Sequence, residues 1–131
     1  KKMIINESKM GTLAAKIKDI KDLENKNIVK VVTKKSLNED QFSEAETFVR
    51  SSKNIDNIYH HIGIYCYSSE TLKKFVELSQ TKKEIKYKLE QLRALDNNIN
   101  IKVAFANSSP IGVDTEEDYL ALKKIMEYKL Q

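Results

Sequence analysis

The segment Tyr59-His60-His61-Ile62-Gly63-Ile64-Tyr65-Cys66-Tyr67 gathers two histidines and three tyrosines around one glycine. Imidazole and phenol groups hydrogen-bond hydroxyls and anions, and histidine titrates near neutrality, so this density suits a polar ligand or a moving proton. In an extended chain, His61, Gly63, Tyr65 and Tyr67 share one face while Ile62, Ile64 and Cys66 share the other. The aliphatic face is expected to be core and the aromatic face a site. His60 and His61 point to opposite faces and make a poor pair for one metal. A strand histidine equally serves structural hydrogen bonds, and residue type alone leaves both roles open. Gly63, beside His61 and Tyr65, would let a ligand or another backbone approach closely.

Two further positions bear on chemistry. Glu90 and Gln91 lie in a helical pattern, about 100 degrees apart around the axis and just off its apolar stripe. Together they offer the acceptors and donors that a polyol needs; a solvated helix face is the alternative. Asp114, in Gly112-Val113-Asp114-Thr115, stands before the last predicted helix. Its carboxylate either caps that helix or holds a hard divalent cation.

Four strands and three helices would position these groups. Strands are predicted at Thr12 to Ile17, Ile28 to Thr33, Tyr59 to Tyr67 and Ile99 to Ala106, from β-branched runs and alternation. Ser68 or Ser69 opens a helix to about Leu78. Another runs from Thr81 to Leu95, with Ile85, Leu89, Leu92 and Leu95 at helical spacing and Asn97-Asn98 as its stop. The last begins at Thr115, where Thr115-Glu116-Glu117-Asp118 approximates a capping box. Lys34 to Asn57 is polar and poorly defined, a loop or a short helix around Glu44 to Arg50. The alternation of strands and helices predicts an α/β fold.

The 131 residues suit one domain or part of one, with 40% hydrophobic and 32% charged residues. No apolar run approaches the roughly 20 residues of a membrane span, and no secretory signal is visible, so a cytoplasmic protein is expected. The single cysteine, Cys66, excludes an internal disulfide and is expected to pack in the core. A net charge of +4 is spread along the chain without a block of like sign, which argues against a nucleic-acid partner. Three glycines include no Gly-rich phosphate loop.

Taken in order, Thr12-Leu13-Ala14 with Asn27-Ile28-Val29-Lys30-Val31-Val32, His61-Ile62-Gly63-Ile64-Tyr65, Leu89-Glu90-Gln91-Leu92-Arg93 and Gly112-Val113-Asp114-Thr115-Glu116-Glu117-Asp118 resemble the C-terminal half of the CMP-Kdo synthetase family, the 3-deoxy-manno-octulosonate (Kdo) cytidylyltransferases. The resemblance implies the C-terminal part of a Rossmann-like nucleotidyltransferase fold with a mixed sheet. It implies a Mg²⁺-dependent reaction in which the anomeric hydroxyl of Kdo attacks the α-phosphate of CTP, giving CMP-Kdo and pyrophosphate for lipopolysaccharide synthesis. In that family the residues matching His61, Tyr65, Glu90 and Gln91 hold the sugar acid, and the one matching Asp114 is a metal ligand. A homodimer, or pairing with the N-terminal half of the same enzyme, is implied as the assembly.

The departures carry expectations too. The family's first half supplies the triphosphate loop, the cytosine pocket and a second acidic metal ligand, with no counterpart here, so the chain alone is expected to be inactive, a truncated or split form. A non-catalytic dimerisation remnant is the alternative. Where the family has an arginine after Phe-Ser that meets the sugar acid, Phe42-Ser43-Glu44 reverses the charge, with Arg50 a conceivable substitute. A family glutamate appears as Tyr87, and the proline common after Asp-Thr is Glu116.

Overall fold

A computed structural model describes residues 8–39, 41–108, 112–113 and 115–129. Five strands form the centre: β1 (Met10–Ala15), β2 (Lys30–Thr33), β3 (Ser43–Val49), β4 (Ile58–Tyr67) and β5 (Lys102–Phe105). They close into a ring in the order β1-β4-β2-β3-β5. The sheet is mixed, because β1 runs parallel to β5 while every other neighbouring pair is antiparallel. A short 3-10 helix (Ile20–Leu23) follows β1, and the described residues include four α-helices: α1 (Ser69–Glu77), α2 (Lys82–Tyr87), α3 (Gln91–Asp96) and α4 (Glu116–Lys129). The α/β class agrees with expectation.

Closure of the ring buries Met10, Ala14, Val31, Phe48, Ile101 and Val103 almost completely, and Phe75, Leu89 and Leu92 from the helical side join the same core. At roughly 25 cal/mol per Å² of apolar surface, such burial is the main force holding helices and strands together. Lys30 is also fully buried, and its ammonium donates to the carbonyls of Asn25 (2.6 Å) and Arg50 (2.8 Å). A buried cation persists only with such partners. This one ties the start of β2 to the end of β3.

Several expectations are corrected. The polar stretch read as a loop or helix contains β3, a strand that pairs with β2 and β5. Its alternating burial, with Ser43, Ala45 and Phe48 inside, is masked in the sequence by the polar residues between them. The predicted helix from Thr81 to Leu95 is two helices. Lys88 adopts a left-handed conformation (φ 53°) that ends α2, and α3 begins three residues later. The faces of β4 are also exchanged over its second half: Ile64 and Cys66 are exposed, while Tyr65 and Tyr67 pack toward the core. Cys66 therefore does not serve as core.

The capping residues behave as their chemistry requires. Ser68 accepts from the Thr71 N–H, and Thr81 and Glu84 form a reciprocal capping box. Thr115 and Asp118 do the same at the start of α4: the Thr115 N–H donates to Asp118 Oδ2 (3.0 Å) and the Asp118 N–H to Thr115 Oγ1 (3.2 Å). No helix among the described residues is long and apolar enough to cross a membrane.

Candidate functional site

A two-residue irregularity in the β1–β4 pairing shapes the site. Thr12 pairs with Tyr65 and Leu13 with Ile62, so Gly63 and Ile64 have no partners on β1. The Thr12 hydroxyl compensates by donating toward the carbonyls of Ile64 (2.8 Å) and Ile62 (3.2 Å). It also lies 2.9 Å from Nε2 of His61. Because the hydroxyl has one proton and gives it to a carbonyl, the geometry assigns the His61 contact as Nε2–H donating to Thr12. Nδ1 is then left as an acceptor. Burial, with a smaller contribution from His60, holds His61 at about 4, well below the ordinary 6.5, so the ring is neutral near pH 7.

Gly63 has open space where a Cβ would stand and no left-handed backbone. The glycine is therefore not demanded by the fold itself, and the room above it remains available to a ligand.

From His61 a line of rings crosses the site. Phe48 meets His61 edge-on (5.0 Å between centroids), His61 meets Tyr65 (5.4 Å), Tyr65 meets Tyr67 (6.1 Å) and Tyr67 meets Phe75 (5.9 Å). The Arg93 guanidinium lies over the Phe75 ring, 4.9 Å from its centroid. Burial raises the Tyr65 phenol above its ordinary range, with Tyr67 and Glu90 adding to the push. Tyr67 is raised in the same way by burial and Glu90, while Arg93 opposes them. Both phenols stay protonated, able to donate to a ligand oxygen.

The Glu90 charge thus acts on both phenols. Glu90 precedes α3 and is exposed, 3.5 Å from Arg93 Nη2, whereas Gln91 is buried at the first turn. His61, Tyr65 and Glu90 thus share one electrostatic and ring-contact network, with Gln91 adjoining Glu90. Asp114 lies outside the described residues. Among the described residues no group of three or more His, Cys, Asp or Glu side chains comes together as a metal site.

Two arrangements carry more than the reading of sequence assigned them. Glu84 and Arg93 form a buried two-pronged pair, Nε to Oε2 at 2.8 Å and Nη2 to Oε1 at 2.5 Å, which ties α2 to α3. The pair holds the Glu84 carboxyl at about 2, well below its ordinary value. The nine-residue separation hid it, since only three- and four-residue spacings announce helical ion pairs. The second is Arg50. At the end of β3 it donates to the carbonyls of Lys26 (3.1 Å), Tyr87 (3.0 Å) and Lys88 (2.9 Å), clamping the helix break, and two of its five N–H donors remain. Phe48, two residues earlier, carries the ring that meets His61. An aromatic residue two places before arginine was the available signal, lying six residues beyond the Phe42-Ser43-Glu44 that drew attention. Glu44 is itself held between Lys34 (2.7 Å) and Lys102 (2.9 Å), and hydrogen bonds from those lysines lower its carboxyl to about 2.

The sequence pattern of a cytidylyltransferase family matches residues 2–102. The chain is 40% identical over 119 residues to the 3-deoxy-manno-octulosonate cytidylyltransferase of Bartonella henselae, and 40% identical over 123 residues to that of Thermodesulfovibrio yellowstonii. Each match covers 89% of this chain and 48% of the relative, so the chain spans about half the length of the curated relatives it matches. A solved structure of CMP:2-keto-3-deoxy-manno-octonic acid synthetase complexed with CTP superposes with a TM-score of 0.80 at 27% identity, covering 98% of this chain and 53% of the other.

Proposed function

The chain belongs to the cytidylyltransferase family, and from that premise we propose that it forms the sugar-acid-binding portion of a 3-deoxy-manno-octulosonate cytidylyltransferase. The supporting observation is the joining of His61, Tyr65 and Glu90 through ring contact and electrostatics, with Gln91 adjacent. Neutral His61 offers Nδ1 as an acceptor, the protonated Tyr65 phenol donates, the Glu90 carboxylate accepts, and the Gln91 amide does both. This combination fits several hydroxyls of a polyol. The two N–H donors that Arg50 keeps are the proposed partners of the sugar's carboxylate.

In the proposed reaction the anomeric oxygen of Kdo attacks the α-phosphorus of CTP. The bond to the β-phosphate oxygen breaks, pyrophosphate leaves, the hydroxyl proton is lost to solvent or base, and CMP-Kdo forms. Mg²⁺ is the proposed cofactor and Asp114 its proposed ligand; the ion would offset charge on the triphosphate. One carboxylate falls short of the roughly six ligands Mg²⁺ takes, so nucleotide oxygens and water would complete the shell. The groups of this chain position the sugar. They are the proposed C-terminal part of a Rossmann-like fold, working in the cytoplasm.

Purified chain incubated with CTP, Kdo and Mg²⁺ tests the assignment, alone and after co-expression with residues of a relative that the match does not cover. We expect no CMP-Kdo from the chain alone and turnover after complementation. Turnover by the chain alone would overturn the division of labour, and a soluble complemented pair that binds no Kdo would overturn the sugar-acid role.

A second reading, an assembly module, is favoured by α4, on which Tyr119, Leu120, Ile125, Met126 and Tyr128 are all exposed. Exposed apolar side chains distributed all round one helix are a usual mark of association. Size-exclusion chromatography discriminates: a concentration-independent dimer of the chain alone supports this reading, and a monomer opposes it.

A further inference from the structure

We infer that the break between α2 and α3, together with the end of β3, forms a groove for a small anion bearing two or more phosphate groups. Lys26, Arg50, Lys83, Lys86, Tyr87 and Lys88 line this cavity of about 640 Å³. Its volume lies within the usual range for a small-molecule site. None of His61, Tyr65, Glu90 and Gln91 lines it, but Arg50 does, so the groove adjoins the sugar-acid site and shares that one residue with it; substitution of the lysines leaves Arg50 in place and tests the groove separately.

The charge balance is one-sided. Lys83 is paired with Asp96 at 3.0 Å, but among the described residues no carboxylate lies within ion-pairing distance of Lys26, Lys86 or Lys88. Arg50 adds its permanent charge. Besides the paired Lys83, four cationic residues line the cavity, and like charges gathered around a concave site raise its positive potential. Ammonium groups on flexible stems act as point charges and suit phosphate oxygens arriving from several directions.

The walls are held in place. Lys88 occupies the left-handed region, uncommon for a residue with a Cβ, and Arg50 secures it by donating to the Tyr87 and Lys88 carbonyls. The same arginine reaches Lys26 through its carbonyl. Three of the cationic residues are therefore spaced by one guanidinium rather than by chance proximity of mobile loops. Tyr87 is half exposed, and the Lys86 ammonium lies 5.1 Å from its ring centroid. This contact keeps Lys86 near the groove without neutralising it.

The test is a calorimetric titration of the folded chain with inorganic pyrophosphate at low ionic strength, without divalent metal. We expect saturable binding that weakens on raising salt, as screened charge requires. The K26E/K86E variant should weaken binding at least tenfold, while a charge-matched K9E/K74E variant and the Tyr65→Phe variant should retain it within twofold. A thermal melt of each variant confirms that both lysine pairs leave the fold intact, and Lys26→Gln with Lys86→Gln provides a milder pair should the reversal unfold. No saturable binding, equal weakening in K9E/K74E, or equal binding of citrate would overturn the inference.

Discussion

The Thr12 hydroxyl and the His61 imidazole, 2.9 Å apart, join the repaired irregularity of β1 and β4 to the centre of the candidate site. One oxygen satisfies a carbonyl that the sheet leaves unpaired and also fixes which nitrogen of His61 carries the proton. Thr12→Val, similar in shape, removes the hydroxyl and leaves the Ile64 carbonyl and His61 Nε2 without it. We expect a loss of about 1–3 kcal/mol in urea unfolding, and a shift of the His61 tautomer population visible in nitrogen chemical shifts.

The low value of His61 predicts an acid limb in stability. Its folded value of about 4 lies below the ordinary 6.5, so between those values the unfolded chain binds a proton that the folded chain refuses. Stability is complete above pH 6.5 and declines as pH falls toward 4, by up to about 3 kcal/mol from this group. His61→Phe should flatten that interval in a series of unfolding curves.

Glu84 and Arg93 predict a second, lower window. The Glu84 value of about 2 is depressed from 4.5, so its contribution is present above 4.5 and is lost as pH falls through 2. Removing one partner strands the other in a buried position, and Glu84→Gln should cost about 3–5 kcal/mol. A Glu84→Met, Arg93→Met double variant should recover a large part of that loss in the same denaturant assay.

Glu44, by contrast, is a surface residue between two lysines. Glu44→Ala should cost no more than about 1 kcal/mol in thermal or denaturant unfolding. It should also leave Kdo binding unchanged. A tenfold change in Kdo affinity would restore Glu44 to the site.

Part of the candidate site was legible where it lies in a regular strand. The shared parity of His61 and Tyr65 follows from strand alternation, whereas the single helix expected to carry Glu90 and Gln91 is broken at Lys88, leaving Glu90 exposed before α3 and Gln91 buried in its first turn. The irregularity opposite Thr12 was not legible, since it depends on how β1 meets β4, and it exchanged the expected exposure of Ile64 and Tyr65. β3 was hidden by polar residues on its outer positions. The break at Lys88 was hidden because neither glycine nor proline marks it, and Arg50, 38 residues away, supplies the contact that holds it. The lysines of the groove look dispersed in the sequence, and only folding collects them.

The most direct measurement is titration of the isolated chain with Kdo, observed through isotope-labelled histidine and tyrosine ring signals. The proposed role predicts saturable shifts confined to His61, Tyr65 and Tyr67, and at least a fivefold weaker response in Tyr65→Phe and in Glu90→Gln, each of which removes one hydrogen-bonding or charged partner. Absence of saturable shifts in the folded chain, or equal affinity in both variants and the parent, would contradict it.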